Sequence, residues 1–267
     1  MLIAQLSDTH ILAPGKMFKA PVAGASPGAE RVYAEIDTAQ CLARAVAALN
    51  ALDPRPDVTL VTGDLVDRGE AAEYDQLAGL LAPLAMPCFV IPGNHDEREA
   101  MRAVFPYLPR GGFLHYTVED YAVRVVALDT TVPGVHSGDL CAERLAWLDA
   151  TLAAAPARPT LVAMHHPPFA TGITYMDGHG LAHGAELAAV IARHPQVERI
   201  ACGHLHRPIE RRFAGTVAGT APSTAHQIRL DLRPGARLHF RFEPPGYQLH
   251  LWDGGGLVTH TGIIGDF

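Results

Sequence analysis

The chain has 267 residues, of which 48% are hydrophobic and 18% charged, a composition typical of a globular protein that buries a large core. This length suits a single α/β domain. The formal net charge of −7 and the lack of a long basic run argue against non-specific binding to nucleic acid.

The N-terminus and the cysteines bear on location. The N-terminus lacks a basic region followed by a cleavable apolar segment, and no apolar run approaches the roughly 18 residues of a membrane helix. The four cysteines, Cys41, Cys88, Cys141 and Cys202, form no CxxC pair, so we expect reduced thiols. We therefore expect a soluble, cytoplasmic protein with no membrane partner.

Strand and helix patterns alternate through the first two hundred residues. A strand over 1–6 precedes a loop over about 14–30 that is rich in Gly, Ala and Pro and whose length suggests a lid or a partner contact. Helical periodicity then spans 32–51 and ends before Pro54. Further strands are predicted at 58–62, 88–91, 113–118, 121–128, 160–164 and 197–202, and further helices at 70–82, 97–105, 141–155 and 187–193.

From residue 211 onward the pattern changes to strands separated by turns. These strands are predicted at 213–218, 227–232, 246–252 and 256–261. Strand-helix alternation followed by strands predicts an α/β fold, a two-sheet β-sandwich flanked by helices, with a strand-rich C-terminal tail. We divide the chain into a catalytic core over 1–210 and a segment over 211–267. The second segment is expected to complete the sandwich and is a candidate cap or contact in a homodimer or higher homo-oligomer.

Five short motifs follow apolar runs, where an α/β fold places strand ends. They are Asp8-Thr9-His10, Gly63-Asp64, Gly93-Asn94-His95-Asp96, His165-His166-Pro167 and Gly203-His204-Leu205-His206. Together they offer carboxylate and amide oxygens and imidazole nitrogens, which suit two adjacent divalent metals. A single Asp after a strand is usually a cap or turn residue, but five such motifs in succession indicate two-metal hydrolysis of a phosphate ester.

A catalytic metal pair needs an anionic ligand that bridges two ions about 3.5–4 Å apart. Asp64 is the best candidate, because Gly63 lets the backbone turn tightly beside a metal. The other candidate ligands include two pairs spaced i, i+2 and a neutral amide: Asp8 and His10, His204 and His206, and Asn94.

Side chains outside the motifs receive other roles. The stretch between His10 and the first helix carries Met17, Phe18, Lys19 and Tyr33 and is placed to roof the site. The chain has 15 histidines, and several must lie outside the site. We expect structural roles for those that fit no motif, which are His115, His136, His194, His239, His250 and His260.

The five motifs resemble the signature of the calcineurin-like metallophosphoesterases: D-x-H, G-D, G-N-H-D/E, H-x-P and G-H-x-H. The resemblance spans residues 1 to about 210. Within the family, the motif spacing looks most like that of bacterial class III cyclic nucleotide phosphodiesterases and related glycerophosphodiesterases. It implies an αββα fold with two metals at the strand ends. It assigns one ion to Asp8, His10 and His206, the other to Asn94, His165 and His204, and the bridge to Asp64.

The resemblance also implies roles beside the scissile ester. In it, His95 is not a ligand but faces the ester, and Asn94 also contacts substrate. The block at 63–69 looks like that of Ser/Thr protein phosphatases, which implies that the Asp67 carboxylate orients His95 and that Arg68 touches phosphate. The alternative is that Asp67 caps the following helix. His226 resembles a substrate-pocket position, with a strand-end surface residue as the alternative.

These inferences predict a binuclear metal-dependent phosphodiesterase for small soluble diesters, either 3′,5′-cyclic nucleotides or glycerophosphodiesters, attacked by a metal-bound hydroxide. Mixed oxygen and nitrogen ligation suits Fe, Mn, Zn or Co without choosing among them. One alternative is a phosphomonoesterase or phosphatase of the same fold, which the sequence Asp67-Arg68-Gly69 favours. Another is a non-catalytic scaffold, disfavoured because every ligand position is filled.

Overall fold

The structure, a computed structural model, describes residues 1–22 and 32–265. Its strands are β1 (Leu2–Leu6), β2 (Phe18–Val22), β3 (Val32–Ile36), β4 (Val58–Thr62), β5 (Cys88–Ile91), β6 (Tyr116–Val118), β7 (Arg124–Leu128), β8 (Gly138–Asp139), β9 (Thr160–Met164), β10 (Leu181–Ala182), β11 (Val197–Cys202), β12 (Ile209–Phe213), β13 (Thr216–Thr220), β14 (Gln227–Ile228), β15 (Phe240–Arg241), β16 (Gly246–Trp252) and β17 (Leu257–Ile263). Its helices are α1 (Thr38–Asn50), α2 (Ala71–Leu81), α3 (Arg98–Val104), α4 (Ala142–Ala153), α5 (Thr174–Asp177) and α6 (Gly184–Ile191).

Two mixed sheets form the centre of the fold. The first has the strand order β17-β16-β1-β4-β5, and the second has the order β12-β13-β11-β9-β7-β6. Strands β1, β4 and β5 run parallel, as do β13, β11, β9 and β7. Ile3 and Leu60 of the first sheet share one buried apolar cluster with Val125 and Leu161 of the second. The sheets therefore pack face to face as a sandwich.

Helices cover both outer faces. Leu42 of α1 and Tyr74 of α2 lie in one cluster with Val61 of the first sheet. Leu148 of α4 and Val162 of the second sheet lie in another. This arrangement confirms the predicted α/β fold with a two-sheet sandwich flanked by helices. Within the part of the chain that the structure describes, no helix has the length and apolarity needed to cross a bilayer.

The stretch before the first long helix differs from the prediction. Strands β2 and β3 pair antiparallel, where the sequence predicted a loop over 14–30 and a helix from residue 32. Helix α1 begins only at Thr38, because the Asp37 side chain accepts a hydrogen bond from Gln40 N at 2.9 Å and caps the first turn. Residues 23–30 of the predicted loop lie outside the described residues.

The C-terminal segment contributes strands to both sheets. Strand β16 pairs with β1, β17 pairs with β16, and β12 and β13 extend the second sheet. The strand predicted over 213–218 is wrong, because the chain turns there through Ala214 and Gly215, whose φ angles are 48° and 96°. The predicted strand over 227–232 reduces to β14, which joins β15, β2 and β3 in a small sheet. The boundary at residue 210 and a homo-oligomer contact stay predictions.

A polar network lies buried between the sheets. Gln5 donates hydrogen bonds to Thr62 Oγ1 at 2.8 Å and to the Cys202 carbonyl at 2.9 Å. His250 Nε2 lies 3.0 Å from Gln5 Oε1. Burial lowers the pKa of His250 to about 3, so this ring stays neutral near pH 7. Because its members hydrogen-bond to one another, the network can sit in the core without a large desolvation cost.

Candidate metal centre

The five motifs converge at one end of the sandwich. They follow β1, β4, β5, β9 and β11, which are parallel within each sheet. Side chains at the carboxyl ends of parallel strands meet at one edge, where α/β sheets usually bind ligands. The topology therefore gathers motifs that are up to two hundred residues apart in sequence.

The Asp64 carboxylate lies between two groups of imidazoles. Its Oδ2 atom is 3.6 Å from His10 Nε2 and 3.4 Å from His165 Nε2. Its Oδ1 atom accepts a hydrogen bond from His95 N at 2.9 Å, which fixes the plane of the carboxylate. This is the position expected of a bridging ligand.

The first ligand group lies on the His10 side of Asp64. Donor atoms of Asp8, His10, Asp64 and His206 all lie within 4.8 Å of one another. His206 Nε2 is 3.5 Å from Asp8 Oδ1 and 3.2 Å from His10 Nε2. The Asp8 Oδ2 atom is buried with no hydrogen-bond partner among the described residues. A buried carboxylate oxygen needs a partner, and a divalent cation fits this mixed oxygen and nitrogen set.

The second ligand group lies on the His165 side. His165 Nε2 and Asn94 Oδ1 are both buried and unpaired within the described chain. His204 lies beside His165, with ring centroids 5.2 Å apart. Donor atoms of His165 and His204 lie within 4.8 Å of each other, and Asn94 and His204 line the same cavity as Asp64. One amide oxygen and two imidazoles are a set that also fits a divalent metal.

Backbone carbonyls orient the imidazoles. His165 Nδ1 donates to the Thr62 carbonyl at 2.9 Å, and His206 Nδ1 donates to the His226 carbonyl at 2.9 Å. Each bond fixes the tautomer and leaves the opposite nitrogen for a metal. Left-handed backbone also marks the predicted ligands: φ is 52° at Asp8, 43° at His10, 48° at Asp64, 71° at His204 and 50° at His206. Non-glycine residues in this region are uncommon and cluster at functional sites.

Glycine is required where two motifs approach other backbone. A Cβ atom on Gly93 would lie 2.2 Å from both the N and the Oδ1 atoms of Asp64. A Cβ atom on Gly203 would lie 2.3 Å from Ser7 Oγ and 2.6 Å from the Thr62 carbonyl. Any side chain at these positions would displace the carboxylate or the strand end beneath it.

The charges in the site suit metal ligation. Burial opposes ionisation of Asp64, but the facing imidazoles of His165 and His95 outweigh it and hold the Asp64 pKa well below its usual value. Burial lowers the pKa of His206 to about 4 and that of His204 well below its ordinary value. Burial also opposes protonation of His165, but the Asp64 charge raises its pKa to about 9. Because a ligand imidazole must be neutral, metal binding at His165 would compete with proton binding.

The loop after Asp64 differs from the sequence-based expectation. His95 Nδ1 lies 2.7 Å from the backbone carbonyl of Asp67, whereas the Asp67 carboxylate lies 3.3 Å from His10 Nδ1. A strand-like bridge between Ile11 and Val66 turns the Asp67 side chain toward His10. A carboxylate oxygen of Asp67 lies within 4.8 Å of a His95 nitrogen, but the hydrogen bond to His95 Nδ1 comes from the Asp67 backbone carbonyl rather than from the expected carboxylate.

The structure also bears on the alternative role of Asp67 as a helix cap and on the position of Arg68, whose phosphate contact stays a prediction. Helix α2 is capped by Glu70 in a capping box with Glu73, so Asp67 is not its cap. The Arg68 side chain is 68% exposed and does not line the cavity over the ligands, so the structure does not bring it to the predicted phosphate contact.

A cavity of about 250 Å³ lies over the two ligand groups. Its described lining comprises His10, Phe18, Asp64, Asn94, His95, His136, Tyr175, Met176, His179, His204, His206, His226, Ile228, Leu238 and Phe240. Phe18 roofs it as predicted. Met17 and Lys19 lie outside the lining, and Lys19 forms an ion pair with Glu35 at 2.6 Å. The Tyr33 side chain is outside the description.

His226 lies inside the site rather than on the surface. It is fully buried, and neither ring nitrogen has a hydrogen-bond partner in the described chain. Its ring stacks on Phe18 with centroids 4.1 Å apart, and burial holds its pKa well below the usual value. A neutral imidazole with free nitrogens beside the ligands is suited to contact a substrate oxygen.

Two cavity residues have no counterpart in the sequence interpretation. His136, for which a structural role was expected, and His179 both line the cavity. His136 Nδ1 lies 3.1 Å from Asn94 Nδ2. Neither residue belongs to a motif or follows a periodic pattern, so the sequence carries no signal for them.

The middle residue of the His165-His166-Pro167 motif has a supporting role. His166 Nδ1 lies 2.8 Å from Thr130 Oγ1, and His166 Nε2 lies 3.0 Å from the His136 carbonyl. Because both ring nitrogens are engaged, His166 is not free to ligate a metal. It instead ties the loop after β7 to the site.

Known proteins resemble this chain in sequence and in fold. A family model described as calcineurin-like phosphoesterase matches residues 1–208. The whole chain is 36% identical to a probable glycerophosphodiester phosphodiesterase GpdQ of Arcobacter nitrofigilis, over 94% of that protein. Over 97% of the chain it is 39% identical to a probable cyclic nucleotide phosphodiesterase of Rhodopseudomonas palustris, covering 91% of that protein. A dimetal phosphatase from Danio rerio shares the fold with a TM-score of 0.65 at 15% identity, each chain being covered to 99%.

Proposed function

The chain belongs to the calcineurin-like phosphoesterase family, and we propose that it is a metal-dependent hydrolase of small phosphodiesters that binds two divalent ions. The observation that carries this proposal is the Asp64 Oδ2 atom, which lies within 3.6 Å of His10 Nε2 and 3.4 Å of His165 Nε2. A carboxylate oxygen shared by two donor groups favours two ions over one.

The proposed ligand assignment follows the two groups around Asp64. Asp8, His10 and His206 hold the first ion, Asn94, His165 and His204 hold the second, and Asp64 bridges them. When bound, such a pair activates water and neutralises charge on the phosphoryl oxygens. Fe, Mn, Zn and Co all suit these ligands.

His95 is placed to act on the leaving group. Its Nδ1 proton is held by the Asp67 carbonyl at 2.7 Å, so only Nε2 is free to act. His95 carries no ligand role in the proposal, and its ring lies 4.8 Å from the His10 ring, beside the first ligand group. A protonated His95 can give its Nε2 proton to the departing alkoxide while Nδ1 stays anchored.

One wall of the cavity is apolar, which favours a diester with a planar, uncharged arm. This wall is formed by Phe18, Ile228, Leu238 and Phe240, and Asp64 is the one Asp, Glu, Lys or Arg side chain in the described lining. Aromatic side chains stack on nucleobases for roughly 1–3 kcal/mol per base. We therefore propose 3′,5′-cyclic nucleotides as the first candidate substrate.

Glycerophosphodiesters are the second candidate. They are favoured by the match of the whole chain, at 36% identity, to the probable glycerophosphodiester phosphodiesterase. The phosphatase alternative was favoured by the sequence Asp67-Arg68-Gly69, and the Arg68 side chain within it is exposed and lies outside the described cavity lining. A phosphomonoesterase therefore has no structural support at this position.

The test combines metal analysis with hydrolysis. Protein reconstituted with Mn²⁺ is analysed for bound metal and then incubated with 3′,5′-cyclic AMP or with glycerophosphoethanolamine, and the products are followed by phosphorus NMR. We expect two ions per chain and hydrolysis of a diester, with Asp64→Asn as the inactive control. Fewer than two ions per chain, or hydrolysis of monoesters alone, would refute the proposal. The ratio of kcat/KM values for the two diesters decides between the candidates.

A further inference from the structure

Three histidines of the cavity share one arrangement. The backbone carbonyl of each accepts a hydrogen bond from one of the imidazoles of His166, His204 and His206, which we call the central imidazoles. The three histidines themselves line the cavity. The pairs, carbonyl first, are His136 with His166 at 3.0 Å, His179 with His204 at 3.2 Å and His226 with His206 at 2.9 Å. The backbone that orients the central imidazoles therefore also places a second set of imidazoles around the substrate space.

His136 is the member of this set that contacts a predicted metal ligand. Its Nδ1 atom lies 3.1 Å from Asn94 Nδ2. An amide nitrogen can only donate, so His136 Nδ1 accepts and the proton of the neutral ring is on Nε2. The contact holds the Asn94 amide nitrogen, and Asn94 Oδ1 is left buried without a partner in the described chain. The Asn94 oxygen is thus the atom available to a cation.

The loop that carries His136 is firmly anchored. His166 ties its two ends together, through Thr130 Oγ1 and the His136 carbonyl. The buried Asp129 at its start pairs with Arg98 at 2.6 Å. A Cβ atom on Gly138, at its end, would lie 2.5 Å from the His166 ring. The backbone at His136 is therefore held in place before any ligand arrives, which supports a positioning role for its side chain.

We propose that His136 is a further residue of the active site, which holds the Asn94 amide with its oxygen toward the second metal ion and offers its Nε2 proton to an oxygen of the phosphodiester. This inference rests on the proposed function. It assigns to His136 two hydrogen bonds, one to Asn94 that is already present in the structure and one formed with substrate.

Two substitutions at this position separate the two hydrogen bonds from simple packing. His136→Ala removes both. His136→Gln keeps an amide oxygen that can accept from Asn94 and an amide nitrogen that can donate to substrate. His260→Ala is the matched control, because His260 is exposed on β17 and does not line the cavity.

The measurements are Mn²⁺ affinity by calorimetric titration and kcat and KM for the better diester substrate. For His136→Ala we expect one of the two ions to bind about 10–100-fold more weakly, as for loss of other outer-shell partners, with the affinity for the other ion unchanged. KM should rise, and His136→Gln should restore most of both losses. The His260→Ala control should match the wild type.

The outcomes distinguish the inference from the proposed function. A wild type that binds two ions and hydrolyses diesters, with a His136→Ala variant that does so equally well, would overturn the inference alone. Equal losses in His136→Ala and His136→Gln, with a lowered melting temperature in both, would overturn it in favour of a packing role. A wild type that binds fewer than two ions or cleaves no diester would overturn the proposed function itself.

Discussion

Replacing His95 with alanine should slow hydrolysis most where the leaving alcohol is weakly acidic. The His95 backbone N–H that binds Asp64 Oδ1 at 2.9 Å is kept in this variant, so the predicted bridge stays in place. What is lost is the imidazole held at 2.7 Å by the Asp67 carbonyl. General acid catalysis typically contributes about 10²–10⁴-fold, so we expect kcat for an alkyl diester to fall by that factor, or about 3–5 kcal/mol in activation free energy.

The assay compares kcat for 3′,5′-cyclic AMP with kcat for a nitrophenyl diester, whose leaving group departs without help from an acid. Metal content is measured on the same samples. Asp67→Asn is the matched control, because the carbonyl that anchors His95 belongs to the backbone and survives the change; its effect should not depend on the leaving group. Equal losses on both substrates in His95→Ala, with two ions still bound, would refute the leaving-group role.

Three further predictions follow from the geometry. Gly93→Ala would place a Cβ atom 2.2 Å from Asp64 Oδ1, so we expect activity to fall about 100-fold and bound metal to be lost. Gly79→Ala in α2 is the control, because no described atom lies within 4 Å of its added Cβ, and it should leave activity and metal content unchanged. Removing bound metal with a chelator should abolish activity and lower the melting temperature, because an ion that binds only the folded state stabilises it. Adding Mn²⁺ should restore both, and an unchanged melting curve would argue against ions in this site. Burial lowers the pKa of His250 to about 3, below the value of about 6.5 in the unfolded chain, so its contribution to stability is complete above pH 6.5 and is lost as the pH falls; in denaturant titrations the stability lost between pH 7 and pH 5 should therefore be about 2 kcal/mol smaller in His250→Gln than in the wild type.

Much of the sheet framework could be predicted from local pattern. The strands at 58–62, 88–91, 160–164, 197–202 and 246–252 have the same bounds in the prediction and the structure. The strands at 58–62 and 160–164 are short runs buried at every position, and such a run between turn residues leaves a signal that does not depend on its neighbours. The antiparallel pair β2 and β3 was missed because the alternation of apolar and polar residues in these strands is short. It also lies beside a helix with a similar apolar content.

The sequence by itself determined the candidate ligands. A metal pair requires particular oxygen and nitrogen donors at strand ends, and these residue types can be identified in each motif without knowing the rest of the fold. Only the tertiary structure decided what surrounds them. Asp67 turns its carboxylate to His10 and its carbonyl to His95, and His136 reaches Asn94 from a loop 42 residues away. Such contacts depend on how loops from different strands pack over one edge of the sandwich, and side-chain direction in a loop has no period from which it can be predicted.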